Sequence, residues 1–76
     1  QPGELRVRGD TPLVKLGRVL GIDIRRVDAD TLAGLVYQAL NRVPEEDEVL
    51  ETEGLRIIVK KMRGPKILLA KVLRLD

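Results

Sequence analysis

The sequence predicts an α+β domain: a mainly antiparallel sheet with two helices on one face, in the order strand, helix, helix, strand, strand, strand. Three observations carry this. Residues near both ends of the chain alternate apolar and charged side chains at the period of a strand. Between them lie two stretches whose apolar residues recur at helical spacing, each bounded by residues that start and stop helices. With 76 residues, the chain can enclose one core, because a domain of this size buries only about 60% of the surface its unfolded chain exposes.

The first strand is Glu4 to Arg8, where Leu5 and Val7 alternate against Glu4, Arg6 and Arg8. Gly9 and Asp10 turn the chain. The first helix follows in TPLVKLGRVLG, with Thr11 as the expected cap and Pro12 at the first helical position, which needs no amide donor. Leu13, Leu16, Val19 and Leu20 mark its inner face, and Gly21 suits a left-handed stop. A connector from Ile22 to Asp28 carries Arg25 and Arg26.

The second helix is expected from about Thr31 to Arg42. Asp30 offers a carboxylate to its positive end, and Leu32, Val36, Ala39, Leu40 and Val43 supply the apolar stripe. Pro44 accounts for the stop, since the residue before a proline is pushed out of helical geometry. Glu45 to Glu48 then form a polar turn into a short strand at about Val49 to Glu51. Leu55 to Met62 is the next strand, with Leu55, Ile57 and Val59 on one face. After the turn RGPK a last strand runs from about Ile67 to Leu75. Its alternation breaks, since Ile67, Leu69, Leu73 and Leu75 share one parity with Lys71 while Leu68, Ala70 and Val72 occupy the other, which predicts a bulge or burial of both faces.

Composition narrows the chemistry. Apolar residues make up 43% and charged residues 34%, yet Tyr37 is the only aromatic, so the core must be aliphatic. The chain has neither cysteine nor histidine. It therefore lacks thiolate ligands and the commonest general base, and no enzyme activity is expected. Its longest apolar run, Ile67 to Ala70, is far short of the roughly 20 residues of a membrane span.

The order and spacing of these signals are similar to those of the CorC/HlyC transporter-associated domain. The matching positions are Gly9, Thr11, Pro12 and Leu13, then Asp30, Thr31, Gly34 and Leu35, then Val43, Pro44, Glu45 and Glu46, and finally Gly54 to Val59. The resemblance runs from about Leu5 to Leu73. It implies a fold like part of an FAD-binding domain and a regulatory role in ion transport. It also implies a place at the C-terminus of a larger membrane-associated protein, hemolysin-like or a magnesium and cobalt efflux protein, behind a pair of CBS domains and on the cytoplasmic side of the membrane. Residues 1–76 are read as one such domain, a piece of a longer chain, since the sequence opens on Gln1. Members of that family commonly carry glycine after Pro-Glu-Glu, where this chain has Asp47, so a left-handed turn there would fall on a non-glycine residue.

Two groups of residues are candidate sites. Asp30, Thr31 and Gly34 surround a helix start, where free amides attract anions, although structural capping explains Asp30 and Thr31 and a close helix contact explains Gly34. Glu45, Glu46, Asp47 and Glu48 could offer oxygens to Mg²⁺ or Ca²⁺, against the plainer reading of a solvated turn. Neither FAD nor an adenine nucleotide is expected as a cofactor, because no G-x-G-x-x-G loop is present. Lys60, Lys61, Arg63 and Lys66 form a basic hairpin that makes nucleic acid the alternative partner. A net charge of +2 and one aromatic residue argue against it. Self-association is expected from the apolar last strand, and Tyr37 is read as a core-edge residue with its hydroxyl in water.

Overall fold

The computed structural model describes residues 3–24 and 27–75, so Gln1, Pro2 and the Arg25–Arg26 patch lie outside the described residues. Strand β1 (Glu4–Val7) leads to helices α1 (Leu13–Leu20) and α2 (Leu32–Leu40), then to β2 (Val49–Thr52), β3 (Leu55–Arg63) and β4 (Lys66–Arg74). The strands form one sheet in the order β1-β4-β3-β2, every neighbour antiparallel. The two long strands are thus central, and the first strand closes the sheet beside the last.

Turn chemistry fixes these pairings. Glu53 (φ 51°) and Gly54 (φ 76°) are both left-handed between Thr52 and its partner Leu55, the requirement of a tight hairpin turn whose twist matches the strands. Gly64 (φ 57°) and Pro65 join Arg63 to its partner Lys66.

Of the two causes expected for the broken alternation of the last strand, a bulge is the one present. Val59 pairs with Ala70, Lys61 with Leu69 and Met62 with Ile67, so Lys60 is extra on β3 and Leu68 is extra on β4. The two irregularities compensate each other. They bring Ile67 onto the face of Ala70 and Val72, and all three are buried.

One aliphatic core joins the inner face of the sheet to the helices, with Leu13, Leu16, Leu32, Leu35, Val36, Ile57, Val59 and Val72 all at most 3% exposed. No polar or charged residue among those described is buried. The inner face of α1 differs from the expected stripe: Val19 is 60% exposed, while Gly17 is buried. A Cβ at Gly17 would lie 2.8 Å from the Ile22 carbonyl oxygen, so the chain leaving the helix folds back over that position. Ala39 and Val43 likewise lie outside the buried face of α2, whose inner residues are Leu32, Leu35 and Val36.

The helix ends also depart from expectation. Pro12 is itself the N-cap of α1 and no side chain caps it. Thr31, not Asp30, caps α2, its hydroxyl accepting from the Gly34 amide at 3.2 Å. The two N-termini cap each other through the backbone. Leu13 N donates to Asp30 O at 2.8 Å, Leu32 N to Thr11 O at 3.0 Å and Ala33 N to Gly9 O at 2.9 Å. These bonds satisfy amides that a helix start leaves without intrahelical partners. Helix α2 ends at Leu40 because Asn41 turns left-handed (φ 57°), two residues before the end expected from Pro44.

Thr31→Ala is therefore expected to lower stability by about 1 kcal/mol, and Asp30→Ala by less than about 0.5 kcal/mol. Thermal unfolding of the two variants checks this, and an equal loss in both would contradict the assignment of the cap.

Candidate functional site

A cleft of about 570 Å³ lies beside α2. Thr31, Ala33 and Tyr37 line it from the α2 side, Arg42 and Val43 from the segment after that helix, and Gly9 and Asp10 from the turn after β1. Pro65, Lys66 and Ile67, from the β3–β4 turn and the start of β4, form the facing wall. This volume is in the range of small-ligand pockets, and the lining is largely apolar with a few polar groups at the rim.

Local structure explains each wall. The reciprocal caps hold the β1–α1 turn against the start of α2. The Tyr37 hydroxyl donates to the Pro65 carbonyl, which ties α2 to the β3–β4 turn and corrects the reading of that hydroxyl as one facing only water. Val43 stays half-exposed over the cleft because the chain has already left the helix at Asn41.

Of the three residues expected around an anion site, Thr31 lines this cleft, whereas Asp30 and Gly34 do not. The amides of Leu32, Ala33 and Gly34 all have acceptors within the chain: Thr11 O, Gly9 O and Thr31 Oγ1. None of these three is left to receive an anion. Gly34 is small for a local reason, since a Cβ there would stand 3.2 Å from the Ala29 Cβ. The close approach comes from the preceding connector rather than from α1 or the sheet.

The acidic turn is bound to its surroundings. Asp47 has the left-handed conformation (φ 68°) that a glycine would adopt without strain. Glu48 forms a two-pronged pair with Arg42, one contact at 3.0 Å, and accepts from the Glu45 amide at 3.0 Å. Glu46 accepts from the Met62 amide at 2.9 Å, and Asp47 pairs with Lys60 at 3.0 Å. Asp47 N also donates to Val59 O, and Val59 N to Glu48 O. The turn thereby occupies the edge of β3 beyond the end of β2, satisfying backbone groups that would otherwise be open. Among the described residues no three His, Cys, Asp or Glu are grouped to hold a metal ion.

Two carboxylates titrate low. Arg42, and then the Glu45 amide, hold the Glu48 carboxyl below its ordinary range, and Arg8 does the same for Asp10. A carboxyl whose folded pKa lies below its unfolded value stabilises the fold above the unfolded value, near pH 4.3, and loses that contribution as pH falls through the folded one. The stability of Glu48→Gln is accordingly expected to fall less steeply than that of the parent chain on acidification below about pH 4.3. Urea unfolding midpoints across that range measure this, and parallel curves would contradict it.

Spacing in the sequence single out neither Pro65 nor Lys66 as partners of α2, because the cleft joins residues 28 positions apart, as the Tyr37–Pro65 bond does. The available signal is Tyr37, the one aromatic residue, placed on a helix at the edge of the core.

Comparison with known proteins sets this geometry in context. The family model of the CorC_HlyC transporter associated domain matches residues 1–76. A UPF0053 protein from Haemophilus influenzae is 29% identical over 73 residues, covering 96% of this chain and 17% of that protein. The transporter associated domain of a Xylella fastidiosa hemolysin, solved in complex with Mg²⁺ and Mn²⁺, superposes with a TM-score of 0.85 at 28% identity, covering 100% of this chain and 92% of that one. A hemolysin domain from Enterococcus faecalis gives 0.83 at 27% identity, with 100% and 93% covered. The chain thus spans about a sixth of the curated relative it matches, and nearly all of these two domain structures.

Proposed function

The chain belongs to the CorC_HlyC transporter associated domain family, and from that membership we propose that it is a non-enzymatic regulatory domain that biases ion transport by a larger parent protein. The observation that carries this reading is the family match across the whole domain. The two solved domains named above come from hemolysins, and the Haemophilus protein continues far beyond the matched region. The proposed neighbours in the parent chain are CBS domains and a membrane region, with this domain on the cytoplasmic side. No helix among the described residues is long and apolar enough to cross a membrane.

The physical requirement on such a regulator is strict. It shifts a transport equilibrium only if its contacts differ in free energy between transport states. The cleft beside α2 is the surface best suited to make such contacts, being preformed and pinned by the mutual caps and the Tyr37 bond. No FAD or adenine nucleotide is required for this role. Deleting residues 1–76 from the parent is expected to change the tolerance of cells to divalent cations, and unchanged tolerance would count against the proposal.

Self-association is proposed as well. Its support is the outer face of the sheet, where Val49 is 55% exposed and Ile58, Leu69 and Leu73 are partly covered. Sedimentation that shows a monomer at high concentration would contradict it.

A second reading, a divalent-cation site on Glu45, Glu46, Asp47 and Glu48, draws on the Xylella domain having been solved with Mg²⁺ and Mn²⁺. It requires Glu48 to leave Arg42 and Asp47 to leave Lys60. Saturable amide shifts at residues 45–48 on Mg²⁺ addition would favour it.

A further inference from the structure

We propose that the cleft beside α2 receives a short extended segment of the parent chain, from outside this domain, which sets a large apolar side chain against Tyr37 and Val43 and a carboxylate against Lys66. The inference rests on the regulatory reading above and names its contact.

Shape gives the length of the occupant. From Ala33 to Leu40 the helical wall is about 10 Å long at 1.5 Å per residue, matching about three extended residues at 3.3 Å each. The cleft is open to solvent and is lined by α2 and the β3–β4 turn, so a chain can enter without threading.

Charge gives its chemistry. Three charged side chains line the cleft, and two are already paired: Asp10 with Arg8 at 2.9 Å, and Arg42 with Glu48. The Lys66 side chain makes no hydrogen bond or close ion pair with the described residues; its charge acts on Asp10, but that carboxylate is already held by Arg8, which leaves the Lys66 ammonium able to take another carboxylate. Helix amides cannot supply an anion site, since those of Leu32, Ala33 and Gly34 are used within the fold. The anchoring contact must therefore come from a side chain. Between the charges, the half-exposed Val43, Pro65 and the ring of Tyr37 leave apolar surface in water, which an apolar side chain would cover.

Tethering gives the source. The matched region is 17% of the Haemophilus relative, and a segment joined to the same chain acts at an effective concentration that makes even a weak contact populated. A free peptide of the same composition lacks that advantage.

The test places a photoreactive benzophenone side chain at Val43 of the full-length parent in membranes, and identifies the cross-linked peptides by mass spectrometry. The expected product joins Val43 to a segment of the same chain that carries Asp or Glu beside a large apolar residue. Lys66→Glu should lower its yield about fivefold, while Lys66→Arg retains it. Lys66 is exposed, so both variants should keep the fold, and their circular dichroism checks this. Cross-links only to another copy, to lipid or to a different protein, or none at all, would overturn the inference, as would equal yield in Lys66→Glu. The two readings fail separately: transport altered by deleting the domain but not by Lys66→Glu would sink the cleft contact alone.

Discussion

Gly9→Ala is expected to destabilise the domain by about 3 kcal/mol or more, at the high end for a single added methyl group. The Cβ would stand 2.2 Å from the Ile67 carbonyl oxygen and 3.0 Å from the Ile67 carbonyl carbon and Cβ. These are not mobile side-chain ends. Ile67 is 2% exposed and paired with Met62 inside the sheet. Gly9 is held from its own side too, because its carbonyl accepts from the Ala33 amide. Relief requires the β1–α1 turn to move off β4, which also pulls on the start of α2. For a chain of this length the total stability is on the order of 4–11 kcal/mol, so the loss is a large share of it. Alanine at Gly64 is the control: it meets nothing within 4 Å, and its cost is that of a left-handed residue, about 1–2 kcal/mol. Urea unfolding of both variants measures the contrast, and a Gly9→Ala midpoint no lower than that of Gly64→Ala would contradict the packing described here.

Leu35→Ala is expected to cost about 3–5 kcal/mol. Leu35 is 1% exposed in the middle of α2 and part of the core cluster. Helices shorter than about 12 residues are marginal in water, so this nine-residue helix depends on packing for its existence. The slightly better helix propensity of alanine offsets only a few tenths of a kcal/mol. Because α2 is also a wall of the cleft, amide exchange should quicken from Leu32 to Leu40 along with the fall in the unfolding midpoint. A loss below about 1 kcal/mol would mean that α2 is not held as described.

The strands were legible because period-two alternation and turn residues are local signals. The break in alternation of the last strand is visible too, but parity alone leaves a bulge and burial of both faces open, and the pairing with β3 decides for the bulge. Helix ends were not legible to the same degree. Asp30 and Thr31 are both good caps by residue type, and the choice fell to Thr31 through bonds between the two helix starts, which no local pattern contains. Pro44 marks a helix boundary, but Asn41 reached a left-handed turn first. Gly17 gives no apolar signal, so helical spacing points to Val19, although Gly17 is buried and Val19 is exposed. The cleft was legible only in Thr31, because its other wall comes from a turn far along the chain. The acidic run was visible at once, yet its work on the edge of β3 depends on which backbone groups β2 leaves open.

The most direct test of the regulatory role is divalent-cation flux through the purified parent in proteoliposomes, with and without residues 1–76, across a range of cation concentrations. The expected result is a shift in the concentration at half-maximal flux while the transport region remains active, as follows when a domain binds one transport state more tightly than another. Superimposable flux curves would contradict it.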